Sequence, residues 1–204
     1  MVNIENPEQN KAEQAEDEKV EDSNLELKKY FQKHLKLNEE ELASIQILEM
    51  KKLLDSYFHQ LALFADARLE SVRVAVIPDK LWQKGSQVSE SSARNSLISI
   101  NEKYFSNKEN PDEFGWFTHE LGHCQKYFDA PDKYEHQSEE PAFPEMQDKS
   151  TYPNNRVELH AFSKQFEYLK GKGKAREEVW QHLQQEYPQQ DWEFLQKVLD
   201  RVYQ

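Results

Sequence analysis

The spacing of hydrophobic positions changes several times along the chain, and each change predicts an element. Residues 1–24 carry almost no large apolar side chain. Such a segment cannot bury enough surface to offset the entropy of ordering, so it predicts a disordered acidic tail. From Leu25 onward apolar residues fall at helical spacing. Leu25, Tyr30, Phe31 and Leu35 suggest a first helix, and Leu42, Ile45, Leu48, Leu53, Phe58, Leu61 and Ala65 a second. Asn38 followed by Glu41 is a capping-box start, and neither Gly nor Pro interrupts 38–69. Residues 71–77 (SVRVAVI) alternate, are β-branched and end at Pro78, which predicts a strand. Residues 96–101 (SLISIN) predict a second, shorter one, and the polar stretch 79–93 between them, with Gly85, reads as loop.

A strong helix start follows. Asn110 can act as N-cap, Pro111 takes the first helical position and Glu113 closes a capping box, for a helix reaching about Phe128. Residues 129–153 hold four of the eight prolines and no helical period, so they read as a long loop. Loops of that length inside a domain are usually functional or disordered. Another helix is predicted over 154–170, capped by Asn154 or Asn155 and ended by Gly171-Lys172-Gly173. Helices over 174–186 and 190–203 would pair through Val179, Leu183, Trp192, Leu195, Leu199 and Val202. The expected fold class is α+β, with one domain over 25–204. It comprises N-terminal helices (25–69), a core (70–170) and a C-terminal helical hairpin (171–204).

Composition qualifies this outline. Only 37% of residues are hydrophobic, 31% are charged, and the formal net charge is −12. The charge is localised: residues 1–24 and residues 129–148 each carry −6, and the remainder of the chain balances. Acidity of this kind argues against a nucleic-acid partner, which needs clustered Lys and Arg. No apolar run approaches the ~20 residues that span a bilayer, so no membrane partner is expected. The N-terminus has neither a basic n-region nor an apolar h-region. The single cysteine, Cys124, excludes an internal disulfide and a multi-cysteine zinc site. A reducing, cytoplasmic setting is the expectation.

The chemistry concentrates in Trp116-Phe117-Thr118-His119-Glu120-Leu121-Gly122-His123, which contains His-Glu-x-x-His. On a helix His119 and His123 leave the same face one turn apart. Two ring nitrogens so placed can reach one tetrahedral Zn²⁺ at ~2.0–2.1 Å each. Glu120 is rotated ~100° from His119. There its carboxylate can take a proton from a water polarised by the ion and deliver it to a leaving amine. Cys124, next along, is rotated away and reads as a small buried side chain rather than a ligand.

His119-Glu120-Leu121-Gly122-His123 resembles the active-site helix of the zincin metallopeptidases, and Leu121 and Gly122 match residues frequent between the histidines there. The resemblance covers about 70–170 and rests on those five residues. It implies a small sheet ahead of the helix, whose edge strand holds the peptide substrate; the strand near 96–101 is assigned that role. It implies zinc-dependent hydrolysis of peptide bonds, with Glu120 as general base and a protein or peptide substrate. The acidic 129–148 segment, bordering the cleft, suggests that the substrate is basic.

A catalytic zinc needs a third protein ligand and one open position. Glu158 lies thirty-five residues after His123, on the next predicted helix, with Ala161 one turn on. Gluzincins take a glutamate ligand from such a later helix. Asp129 is the alternative, because it falls on the last position of the extended metzincin motif; Lys126, however, stands where that motif has its glycine. His160 and His136 are further candidates. His160 is ~200° around the helix from Glu158, so the two should not share an ion. Tyr152, Arg156 and His160 are candidates to stabilise the oxyanion of the transition state. The chain could alternatively be a peptidase-like regulatory or interaction module with a structural metal or none.

Overall fold

The computed structural model describes residues 25, 27–33, 36–50, 53, 67–82, 89–105, 112–146 and 152–204. The tail expected over 1–24 lies outside them. Contacts divide the chain into two compact units, Met1–Ile47 and Leu48–Gln204, where one domain over 25–204 is expected.

In the first unit residues 27–33 are helical and bury Leu27 and Phe31, one turn apart. Helix α1 (Glu39–Ala43) starts at Asn38 with the expected capping box. Glu41 N–H donates to Asn38 Oδ1 at 2.9 Å, and Asn38 N–H to Glu41 Oε2 at 2.9 Å. The helix does not run on as the spacing predicts. It stops at Ser44, and strand β1 (Gln46–Glu49) follows. Ile45 to Leu48 is a short apolar run that suits either element, and such runs are decided by what they pair with. Residues 54–66, where the expected helix would end, lie outside the described residues.

The second unit is α+β around a small mixed sheet. Strands β2 (Arg73–Ile77) and β4 (Leu97–Asn101) pair in parallel, with Arg73 opposite Leu97 and Ile77 opposite Asn101. Both are buried almost throughout, as parallel strands covered on two faces must be. Strand β3 (Ser89–Ser92) runs antiparallel to β4, with Ser89 opposite Ile100 and Ser92 opposite Leu97. The order is β1-β2-β4-β3. This order corrects two expectations. The stretch 79–93 is not all loop, since its Ser-Glu-Ser-Ser segment is the edge strand; four polar residues carry no period-2 signal. Strand β4 is interior and paired on both sides, so it offers no edge to a substrate.

After α2 (Glu102–Phe105), the histidine-bearing helix α3 (Trp116–Asp129) begins five residues later than the Asn110 cap predicts. Asn110 and Pro111 lie outside the described residues. The cap is tertiary in reach: the buried Asp112 carboxylate accepts from Phe117 N–H at 2.9 Å, Thr118 N–H at 3.0 Å and the Thr118 hydroxyl at 2.6 Å. One carboxylate thus satisfies the N-terminal donors that a capping box would have served. Phe117, Leu121 and Cys124 repeat at helical spacing and sink wholly into the core.

The 129–148 region also departs from a loop. It forms a 3-10 turn (Pro131–Lys133), helix α4 (Tyr134–Glu139) and a second 3-10 turn (Pro144–Met146). Phe143 and Met146 anchor it in the core. The Asn154 side chain clamps it, accepting from Phe143 N–H at 2.9 Å and donating to Phe143 O at 3.1 Å. Helix α5 (Arg156–Gly171) starts at Asn155, whose Oδ1 accepts from Val157 N–H at 3.0 Å and Glu158 N–H at 2.9 Å. Helices α6 (Arg176–Glu186) and α7 (Trp192–Tyr203) complete the unit, with Val179, Leu183, Leu195 and Leu199 buried. Among the described residues no helix is long and apolar enough to cross a membrane.

Asp112→Ala should leave three buried donors without an acceptor. The expected outcome is a loss of about 2 kcal/mol, read as a lower urea midpoint with unchanged m-value.

Candidate metal centre

Helices α3 and α5 cross at two small residues. A Cβ built on Gly122 would lie 2.9 Å from Ala161 Cα, so the backbones approach closer than any side chain at 122 allows. Gly122 sits between the two histidines, and Ala161 lies one turn beyond Glu158. This contact therefore sets the distance from which Glu158 faces the histidine pair.

The three side chains converge. His119 Nε2 and His123 Nε2 are 3.1 Å apart. Glu158 Oε2 lies 3.4 Å from His119 Nε2, and Glu158 Oε1 lies 3.6 Å from His123 Nε2. Four ligands at ~2.0–2.1 Å in a tetrahedron stand about 3.4 Å from one another by geometry. The observed spacings bracket that edge length. His119, His123 and Glu158 form the group of potential metal ligands among the described residues.

Burial sharpens the chemistry. It pushes the His123 ring down to about 4, with His119 adding to the effect and Glu158 opposing it. It likewise lowers His119, against Glu120 and Gln165. It raises the Glu158 carboxyl, against His123. Both imidazoles are thus held neutral, which is the form that ligates a metal. Glu158 Oε2 is buried without a hydrogen-bond partner, a costly arrangement for a carboxylate oxygen. Two neutral imidazoles and one under-satisfied carboxylate suit a divalent cation, and His₂Glu is a recurrent catalytic zinc set.

Glu120 is buried on the flank of this cluster, facing β3. Ser89 donates its hydroxyl to Glu120 Oε1 at 3.1 Å. Burial raises the Glu120 carboxyl, opposed by His119, the Ser91 hydroxyl and Ser89; Glu158 adds to the rise. A carboxylate pushed upward is a stronger base than one in water. Ser89 and Ser91 alternate on the strand, so both turn to the same face. Neither could be singled out from a polar stretch that reads as loop.

The remaining sequence candidates are placed differently. Asp129 is half exposed and pairs with Arg68 at 2.7 Å. His136 is exposed and pairs with Glu140 at 2.9 Å. Arg156 Nε pairs with Glu140 Oε2 at 2.8 Å, outside the cluster. His160 Nε2 turns to Gln125 Oε1 at 3.4 Å on α3. Tyr152 is half exposed, and partial burial together with Glu158, Asp191 and Glu120 raises its phenol. Cys124 is buried, with its thiol pushed up to about 12 by burial and by Glu120, which leaves it inert.

Two tyrosines join the site without any sequence signal. Tyr134 of α4 places its hydroxyl 3.3 Å from His123 Nδ1. Tyr187 follows α6 and packs its ring on Phe162 at 5.7 Å and Trp116 at 6.1 Å. Burial raises its phenol, and Tyr152, Glu158 and Glu120 raise it further. Of the acids in 129–148, Asp129, Glu135, Glu140 and Glu145 are tied to Arg68, Arg94, Arg156 and Lys197 respectively. The segment therefore presents less free charge to the cleft than its composition implies.

Comparisons of the chain with protein families, with curated proteins and with solved structures find no match.

Glu158→Ala should abolish stoichiometric zinc uptake in dialysed protein, while Asp129→Ala should retain it, as read by metal analysis after gel filtration. The opposite pattern would move the third ligand to Asp129.

Proposed function

We propose that the protein is a zinc-dependent peptide hydrolase of the gluzincin type. The supporting observation is the convergence of His119 Nε2, His123 Nε2 and the Glu158 carboxylate, whose separations of 3.1, 3.4 and 3.6 Å lie near the ~3.4 Å edge of a zinc tetrahedron. When bound, the zinc supplies Lewis acidity that polarises a water and the scissile carbonyl.

The chain's own residues do the rest. Glu120, hydrogen-bonded to Ser89 and raised by burial, takes the proton of the attacking water and passes it to the departing amine. Tyr152, just ahead of α5, and Tyr187, whose ring packs on Phe162 and Trp116, are assigned as the donors to the developing oxyanion. Arg156 and His160 have other partners and are set aside for this role. The outer edge of β3 adjoins Glu120 through Ser89, so an extended peptide adds to β3 as a further strand. The substrate is a peptide segment able to unfold locally into that edge. Four acids of the 129–148 segment are already paired with bases, which lessens the charge it offers to a basic peptide.

Glu120→Gln should bind zinc within a few-fold of the parent and lose about 10²–10⁴-fold in hydrolysis of a fluorogenic peptide library. Parent activity should vanish with a chelator and return with added zinc. A Glu120→Gln variant that still cleaves, or a parent that is indifferent to chelation, would refute the reading.

A further inference from the structure

Neutral histidine has two tautomers, and only the one with its proton on Nδ1 offers Nε2 as a ligand. The group that accepts the Nδ1 proton therefore decides whether a histidine is ready for a metal. For His123 that group is the Tyr134 hydroxyl, 3.3 Å from Nδ1. For His119 the surroundings are more restrictive. The Phe162 ring stands edge-on to the His119 ring, 4.4 Å between centroids, and contributes nothing polar.

Gln165 supplies what is missing. It lies seven residues after Glu158, so both occupy one face of α5. Its side chain is fully buried. Its Nε2 donates to Phe114 O at 2.7 Å, which settles the orientation of the carboxamide and turns Oε1 the other way. Phe162, one turn earlier on α5, already meets the His119 ring, and the Gln165 side chain lies against Gly115, whose carbonyl accepts from His119 N–H one turn into α3. Gln165 Oε1 and His119 Nδ1 are both buried and both lack a partner in bonding geometry, each other included. A buried donor and a buried acceptor both left over in one interhelical contact are costly unless something closes the pair. The backbone also makes room for Gln165. Gly115 adopts φ +74°, and a Cβ there would lie 2.8 Å from Gln165 Cγ. The turn that starts α3 thus seats the Gln165 side chain one turn before His119.

We propose that Gln165 is the positioning residue of His119: its Oε1 accepts the Nδ1 proton and so holds Nε2 toward the ion. The pair closes as the imidazole turns onto the metal. This rests on the zinc reading above. Both histidines are then oriented by uncharged groups, the Gln165 carboxamide and the Tyr134 hydroxyl, and Glu158 is the one anion among the ligands.

The test uses zinc alone as the probe. Zinc affinity is measured by competition with a chromophoric chelator, and the His119 ring is followed in zinc-loaded protein by long-range ¹H–¹⁵N spectra. Gln165→Met removes the acceptor at similar volume and should weaken zinc binding about 10–100-fold. Gln165→Glu keeps an acceptor oxygen. It should bind zinc within a few-fold of the parent and shift the His119 Nδ1–H proton downfield, because its acceptor is charged. Tyr134→Phe should alter the His123 signals and leave the His119 Nδ1–H in place. If Gln165→Met does not fold, the Gln165→Glu spectrum decides: a shifted His119 Nδ1–H supports the assignment and an unmoved one overturns it. A parent that binds zinc with Gln165→Met equally tight overturns this inference alone. Equal loss in Gln165→Met and folded Gln165→Glu also overturns it, since it marks a purely structural role. A parent that takes up no zinc overturns the zinc reading and this inference with it.

Discussion

The site depends on how closely α3 can lie on α5. Two histidines four residues apart present two ring nitrogens from one helix, and the carboxylate that meets them comes from another. Gly122 and Ala161 remove the side-chain volume that would otherwise hold the helices apart. With that volume gone, Glu158 stands within 3.4 and 3.6 Å of the two ring nitrogens. Interiors pack as tightly as organic crystals, so a single added methyl at such a contact is felt as displacement rather than absorbed. The placement of every other group follows from this crossing, because Gln165 and Phe162 share α5 with Glu158.

Burial is the second constraint. The cluster of His119, Glu120 and His123 belongs to a helix whose other face carries Phe117, Leu121 and Cys124 into the core. Desolvation keeps both imidazoles neutral and drives both carboxyls toward their protonated forms. Such an assembly of polar groups costs stability when its members lack partners. That functional sites carry such costs, offset by packing elsewhere, is a general pattern. Here the offsetting packing includes Phe162, Phe166 and Phe194, all fully buried beneath the cluster.

The edge strand and the 129–148 segment show why composition alone misleads about surroundings. Ser89 to Ser92 has no apolar alternation, yet it is paired to β4, and Ser89 and Ser91 face Glu120. The 129–148 segment carries a formal charge of −6, yet four of its acids are matched by bases from distant parts of the chain. Its Phe143 and Met146 turn a proline-rich stretch into an ordered wall of the second unit. Tyr134, which reaches His123, rides on that wall.

The local chemistry was legible in the amino-acid sequence. The four-residue spacing of His119 and His123 follows from helical pitch, and the Asn38 and Asn155 caps from short-range hydrogen bonding. Glu158 with Ala161 could be named as a candidate only through the resemblance to gluzincins, which pair a glutamate on a later helix with a small residue one turn on. What lay beyond the sequence was each feature that depends on partners more than a single helical turn away. Asp112 replaced the Asn110 cap because its carboxylate reaches three donors of α3 at once. Strand β1 replaced helix and β3 replaced loop because backbone pairing with a neighbouring strand outweighs weak local preference. Tyr134, Tyr187, Ser89 and Gln165 entered the site through contacts across 11, 71, 31 and 51 positions or through packing alone, and no periodicity or motif encodes such separations. Short-range geometry determined which residues could do chemistry; only the tertiary structure decided what holds them in place.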